Sequence, residues 1–138
     1  MKTKIVPGIV LLFCSLFQLA HAEVAERTSL NAAKQWLHSV DNGDYAQSWE
    51  SGALTFKLTI SQQHWEKLMN AIRAPLGPVV SRQLLEQRPA VDPKGLPKGE
   101  YMVVFFKTKF QKKKEAHELV TLVKETDGKW KVLTYQVQ

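Results

Sequence analysis

Between Glu100 and Gln138 apolar and charged residues alternate in three runs separated by polar turns, the period-two pattern of a β-meander. The first run, Glu100 to Phe110, is rich in β-branched and aromatic residues and lacks Gly and Pro, so it predicts a long strand. Successive side chains point to opposite faces. Met102, Val104, Phe106, Thr108 and Phe110 therefore share a face that is apolar almost throughout, and Tyr101, Val103, Phe105, Lys107 and Lys109 share one that ends basic. The second run, His117 to Thr126, carries apolar residues on both faces in mid-strand, as a central strand does. Asp127-Gly128 supplies a tight hairpin, and Lys129 to Val137 is the return strand. Its Trp130 and Tyr135 have opposite parity, which either splits them between faces or requires a β-bulge between them.

Upstream the period changes to that of helices. Ala33, Trp36, Leu37 and Val40, with Leu30 one turn earlier, make one face of a first helix over residues 23–40, ended by Asn42-Gly43. Asp44 is placed to cap a short second helix containing Tyr45 and Trp49, stopped near Gly52. Ser61 can cap a third, whose stripe is Trp65, Leu68, Met69 and Ile72 and which Pro75, Gly77 and Pro78 terminate. Residues 54–60 suit a short strand or a piece of helix equally well. Residues 79–87 read as extended, and 89–98, with three prolines and a glycine, as a polar connection into the long strand. The expected fold class is α+β, with three N-terminal helices packed on one face of a curved four-stranded antiparallel sheet. Each layer can hide its apolar face only against the other.

The N-terminus changes the picture of where this domain works. Residues 1–22 have a secretory leader's features: Lys2 and Lys4, an apolar stretch from Ile9 to Leu19, and Ala20-His21-Ala22 as a cleavage motif. Cleavage after Ala22 is expected, leaving one domain over residues 23–138, periplasmic or secreted and without a transmembrane segment. Cys14, the only cysteine, would leave with the leader, and Phe13 before it argues against lipid attachment. The mature chain would then be held without disulfides. Charge is uneven: residues 23–93 carry seven basic and eight acidic groups, residues 94–138 ten and five. The sheet end is the basic end.

Helices followed by a long curved sheet resemble the cystatin-like cone shared by ketosteroid isomerases, scytalone dehydratases and nuclear transport factors. A closer resemblance rests on Asp44-Tyr45 with Trp49, Trp65, Arg73-Ala74-Pro75-Leu76-Gly77 with Ser81-Arg82, Gly99-Glu100-Tyr101, and Asp127-Gly128-Lys129-Trp130 with Tyr135. This set resembles the secreted bacterial proteins grouped as domain of unknown function 4019. It implies an exported single-domain protein.

The candidate chemistry has to be weighed beside plainer roles. Arg73 and Arg82 flank the Pro-Gly turn and could together hold a carboxylate or phosphate. Their plainer role is to pair with Asp44, Glu86 or Glu118 and brace helices against sheet. Tyr45, Trp49 and Tyr101 are the other candidate ligand contacts, although Asp44-Tyr45 also reads as a cap and its first buried residue. Trp36, Trp49, Trp65 and Trp130 suit core packing better than a ligand wall. Lys112, Lys113 and Lys114 could grip an anionic surface or simply form a solvated hairpin tip. His38, His64 and His117 have no ligand-type spacing, so no metal site, catalytic set or cofactor is expected. Nucleic acid is a poor partner for an exported chain.

These features favour a non-enzymatic domain that binds a small ligand or a periplasmic protein. An isomerase- or dehydratase-like enzyme is the alternative, needing a buried carboxylate or histidine that faces an open pocket. Binding to an anionic surface through the lysine turn is a third reading, and a homodimer through the sheet is conceivable.

Overall fold

The computed structural model describes residues 8–138, with side chains from residue 15 onward. The start of the expected leader, including Lys2 and Lys4, and the Cys14 side chain lie outside the described residues. Four helices precede the sheet: α1 (Gly8–Asp41), α2 (Tyr45–Glu50), α3 (Leu54–Thr59) and α4 (Gln62–Arg73), followed by a 3-10 turn, Ala74–Leu76. The strands are β1 (Val79–Val91), β2 (Glu100–Phe110), β3 (Ala116–Lys124) and β4 (Trp130–Val137), hydrogen-bonded antiparallel in sequence order. The sheet is open, with β1 and β4 at its edges.

The caps act as the residues predict. The Asp44 side chain accepts from the Gln47 amide at 3.3 Å and Ser61 accepts from the His64 amide at 3.3 Å. Gly43 adopts φ 75°, the left-handed conformation that lets the chain leave α1 and turn at once into α2. The undecided segment 54–60 is mostly helix α3, making four helices where three were expected. Its alternation is misleading because Phe56 is buried while Leu54 and Leu58 stand out in solvent. Leu68 also leaves its expected stripe. It is exposed, and Trp65 and Met69 carry the buried face of α4.

The core lies between α1, α4 and the inner face of the sheet, where Trp36, Leu37, Val40, Trp65 and Met69 meet Met102, Val104, Phe106, Val120, Leu122 and Val132. The sheet curves far enough around α1 for both edges to reach it. Gln87 of β1 donates to the Glu26 carbonyl, and the Trp130 indole of β4 donates to Thr28. Contact begins there. Residues 15–24 of α1 are exposed, and Ser29 is the first buried one among the residues described with side chains.

Strand β1 runs to Val91, so the connection into β2 is shorter than its prolines suggest. Pro89, opposite Met102, is tolerated because β1 is an edge strand. Register shifts on β1 and β4 decide which side chains enter the interior. On β1 the register shifts between Leu84 and Glu86, so Arg82 and Leu84 point inward while Glu86 faces out opposite Phe105. On β4 an extra residue, Leu133, lies between Val132, opposite Leu122, and Thr134, opposite Thr121. It returns Tyr135 to the inner face that Trp130 also occupies.

Candidate functional site

Inward-pointing residues at one end of the sheet meet the C-terminal ends of α1 and α4 in a single buried network. Sheet register puts Glu118 opposite Phe106 and Val137, one step diagonally from Thr108 and Tyr135. Arg82 lies opposite Thr108 on β1. The last residue of α1, Asp41, and the last of α4, Arg73, descend onto this floor. The network therefore joins two helices and all four strands.

Glu118 is fully buried and its carboxylate receives four donors. Arg82 Nε donates to Oε1 at 2.7 Å and Arg82 Nη2 to Oε2 at 3.2 Å. The Thr108 hydroxyl donates to Oε1 and the Tyr135 phenol to Oε2. Arg82 also clamps Asp41, with Nη1 to Oδ2 at 2.7 Å and Nη2 to Oδ1 at 2.9 Å. Arg73 adds Nη2 to the same Oδ1 at 2.8 Å and Nη1 to the Tyr135 oxygen at 3.4 Å. Phe110 and Phe106 cover the two guanidinium groups, with ring centroids 5.0 and 6.0 Å from them.

Two cations face two carboxylates, so the network is neutral as a whole, which makes its burial tolerable. Burial weighs against the charge of Asp41, but the hydrogen bonds and charges of Arg82 and Arg73 outweigh it and hold the carboxyl below its ordinary value. Burial likewise opposes the charge on Arg82, and its bonds to Asp41 and Glu118 more than compensate, raising its pKa. The Tyr135 phenol is pushed up by burial first and then by the Glu118 charge, against the pull of Arg73, so it stays protonated. A carboxylate held below its ordinary range is a weak base at neutral pH.

The sequence candidates are dispersed. Tyr45 and Arg73 line one open cavity of about 280 Å3 together with Asp41. Arg82 does not line that cavity and is linked to it through Asp41 and, by way of Glu118 and Tyr135, through Arg73. Trp49 faces away, its indole donating to the Ile60 carbonyl at 2.8 Å under Lys57. Tyr101 is buried and donates to the Pro97 carbonyl at 2.7 Å. The bracing partners also differ from those expected. Glu118 is one of them, but Asp44 caps α2 and Glu86 pairs with Arg88 on the outer face, a consequence of the β1 bulge. Asp41 takes their place. Lys112, Lys113 and Lys114 are exposed at the β2–β3 tip.

A second cavity, about 360 Å3, opens between α3 and β4. Phe56, Ile60, Trp65, Leu96 and the bulge residue Leu133 give it apolar walls, and the Tyr135 ring reaches its edge. The sequence does not reveal this cleft, because residues 54–60 suit a strand or a helix equally well. Among the described residues no group of three or more His, Cys, Asp or Glu side chains could hold a metal, and no helix is long and apolar enough to cross a membrane.

Among solved structures, the chain is similar to a protein from Catenulispora acidiphila, with TM-score 0.54 and 12% identity over 85% of this chain and 93% of that one. It is also similar to a protein from Shewanella frigidimarina provisionally described as a ketosteroid isomerase, with TM-score 0.52 and 16% identity over 80% and 94%. At such identities the likeness speaks to the fold alone, and that fold is the open cystatin-like cone. No curated protein matches the chain. Residues 32–135, which span the core, the ionic network and both cavities, match the family described as "Protein of unknown function (DUF4019)", and the chain belongs to that family.

Proposed function

We propose that this is an exported, non-enzymatic domain that binds a small apolar ligand in the cleft between α3 and β4. One observation carries the reading: the cleft combines a volume of about 360 Å3 with almost wholly apolar walls, while the buried ionisable groups beside it are paired with one another. Ligand sites commonly begin at about 300 Å3 and are apolar with a few polar groups at the rim. Here Thr55, Thr59 and Thr134 supply those groups.

The test is titration with N-phenyl-1-naphthylamine, an uncharged apolar fluorophore. Thr59→Trp, at an exposed position on the rim, should abolish its fluorescence enhancement while leaving the fold intact. Equal binding by that variant would defeat the reading.

A second reading is favoured by Tyr135, which touches the cleft and donates to a buried carboxylate as proton-transfer sites do. Ketosteroid double-bond migration catalysed by the chain and lost in Tyr135→Phe would establish it. Against it stands the closed hydrogen bonding of Glu118.

Export is supported by the position of α1. Of the residues that a cut after Ala22 removes, 15–22 are exposed, and Glu26, Thr28 and Ser29 remain in contact with the sheet edges. Intact mass of the protein recovered from the periplasm should show residue 23 at the N-terminus.

A further inference from the structure

The apolar cleft lies against an unfinished sheet edge. The His117 amide donates to the Gln138 carbonyl and the Gln138 amide to the His117 carbonyl, both at 2.9 Å, so these residues form a doubly hydrogen-bonded pair. Such pairs alternate along an antiparallel ladder. Gln136 opposite Leu119 and Thr134 opposite Thr121 are therefore bonded to β3, whereas Tyr135, opposite Val120, and Val137, opposite Glu118, turn their N–H and C=O groups away from it. No strand follows β4 on that side. The Ala53 amide covers the edge as far as Val132, donating to its carbonyl at 2.8 Å. Beyond it the main-chain groups of Tyr135 and Val137 have no partner among the described residues. The opposite edge is guarded: β1 carries Arg82, Glu86, Arg88 and Pro89 and two register shifts, all of which discourage a further strand. Residues 134–138 carry neither charge nor proline, and no charged side chain lines the cleft beside them.

We infer that an extended segment of another polypeptide docks along Tyr135 to Val137 as a fifth strand and places one large apolar side chain, such as leucine, in the cleft. This rests on the cleft being the ligand site, and it names the partner that brings an apolar group there. Two N–H and two C=O groups on alternate residues are the complement of an extended main chain, which supplies affinity while a pocket for alternate side chains supplies specificity. A partner residue opposite Tyr135 projects onto the same sheet face as Tyr135. Phe56, Ile60 and Trp65 wall the cleft beside that ring. The neutrality of edge and lining matches an uncharged segment, because a charge brought into such surroundings would be desolvated without a counter-charge.

The probe is the blocked peptide acetyl-Thr-Thr-Leu-Thr-Thr-amide, titrated into the protein. It should displace N-phenyl-1-naphthylamine and slow hydrogen exchange at the Tyr135 and Val137 amides, followed by NMR. The same peptide methylated on its leucine nitrogen keeps the side chain and loses the N–H that meets the edge. It should bind about tenfold more weakly. Equal binding by the methylated peptide, unchanged exchange at both amides, or failure to displace the fluorophore overturns the inference. If the fluorophore binds and the peptide does not, the apolar cleft stands and the fifth strand falls; if neither binds, both fall. Exchange at the two amides that slows with protein concentration alone would assign the edge to a second copy of this chain, and would equally overturn it.

Discussion

The ionic network around Glu118 and the lysine tip between β2 and β3 place charged side chains in opposite surroundings. In the network around Glu118 the hydrogen-bonding groups face one another, and one atom there, Arg73 Nε, is buried without a partner. At the tip between β2 and β3, Lys112, Lys113 and Lys114 are exposed. The first arrangement fixes helices onto the sheet. The second leaves its ammonium groups in solvent. Charged-residue content therefore says little about function until the partners are known.

The largest test of this contrast is Arg82→Gln. It leaves the fully buried Glu118 charge without its principal partner, and loss of one member of a buried pair costs about 3–5 kcal/mol. Urea denaturation should show that loss. A change below about 1 kcal/mol would mean that the network is not the brace described. Tyr135→Phe removes one of four donors to Glu118 and should cost about 1–3 kcal/mol by the same measurement.

Acid should act through Asp41. Its folded-state pKa lies below the ordinary 3.8, so the unfolded chain takes up the proton first. The contribution is complete above that value and is lost as pH falls through the lowered folded-state pKa. Asp41→Asn should flatten this acid limb. At the other extreme, replacing Lys112, Lys113 and Lys114 with Ser should leave stability within about 0.5 kcal/mol of the parent, as for surface changes generally. Co-sedimentation with anionic liposomes that this triple variant abolishes would give the lysine tip a role the rest of the molecule does not suggest.

Much of the architecture is legible in the residues. The strand Glu100–Phe110, the caps at Asp44 and Ser61 and the inward face of the meander follow from local patterns. The site is far less so. Asp41 reads as a polar residue at a helix end, and nothing local indicates that two arginines 32 and 41 positions later will reach it. Glu86 has the same parity as Arg82 and looks like its neighbour until the extra residue Leu85 turns it outward. Pairings of this kind depend on three-dimensional register, which a single sequence specifies only through all its contacts together.

Leu133 illustrates how much can hang on such a detail. By offsetting the ladder one place, it sends the phenol of Tyr135 inward to Glu118 and itself becomes a wall of the apolar cleft. A descendant of this gene lacking that single codon would still encode an alternating strand. Its ladder would run without a bulge and keep the aromatic ring beside Val120 on the inner side, so the ionic cluster would survive while the pocket lost one wall.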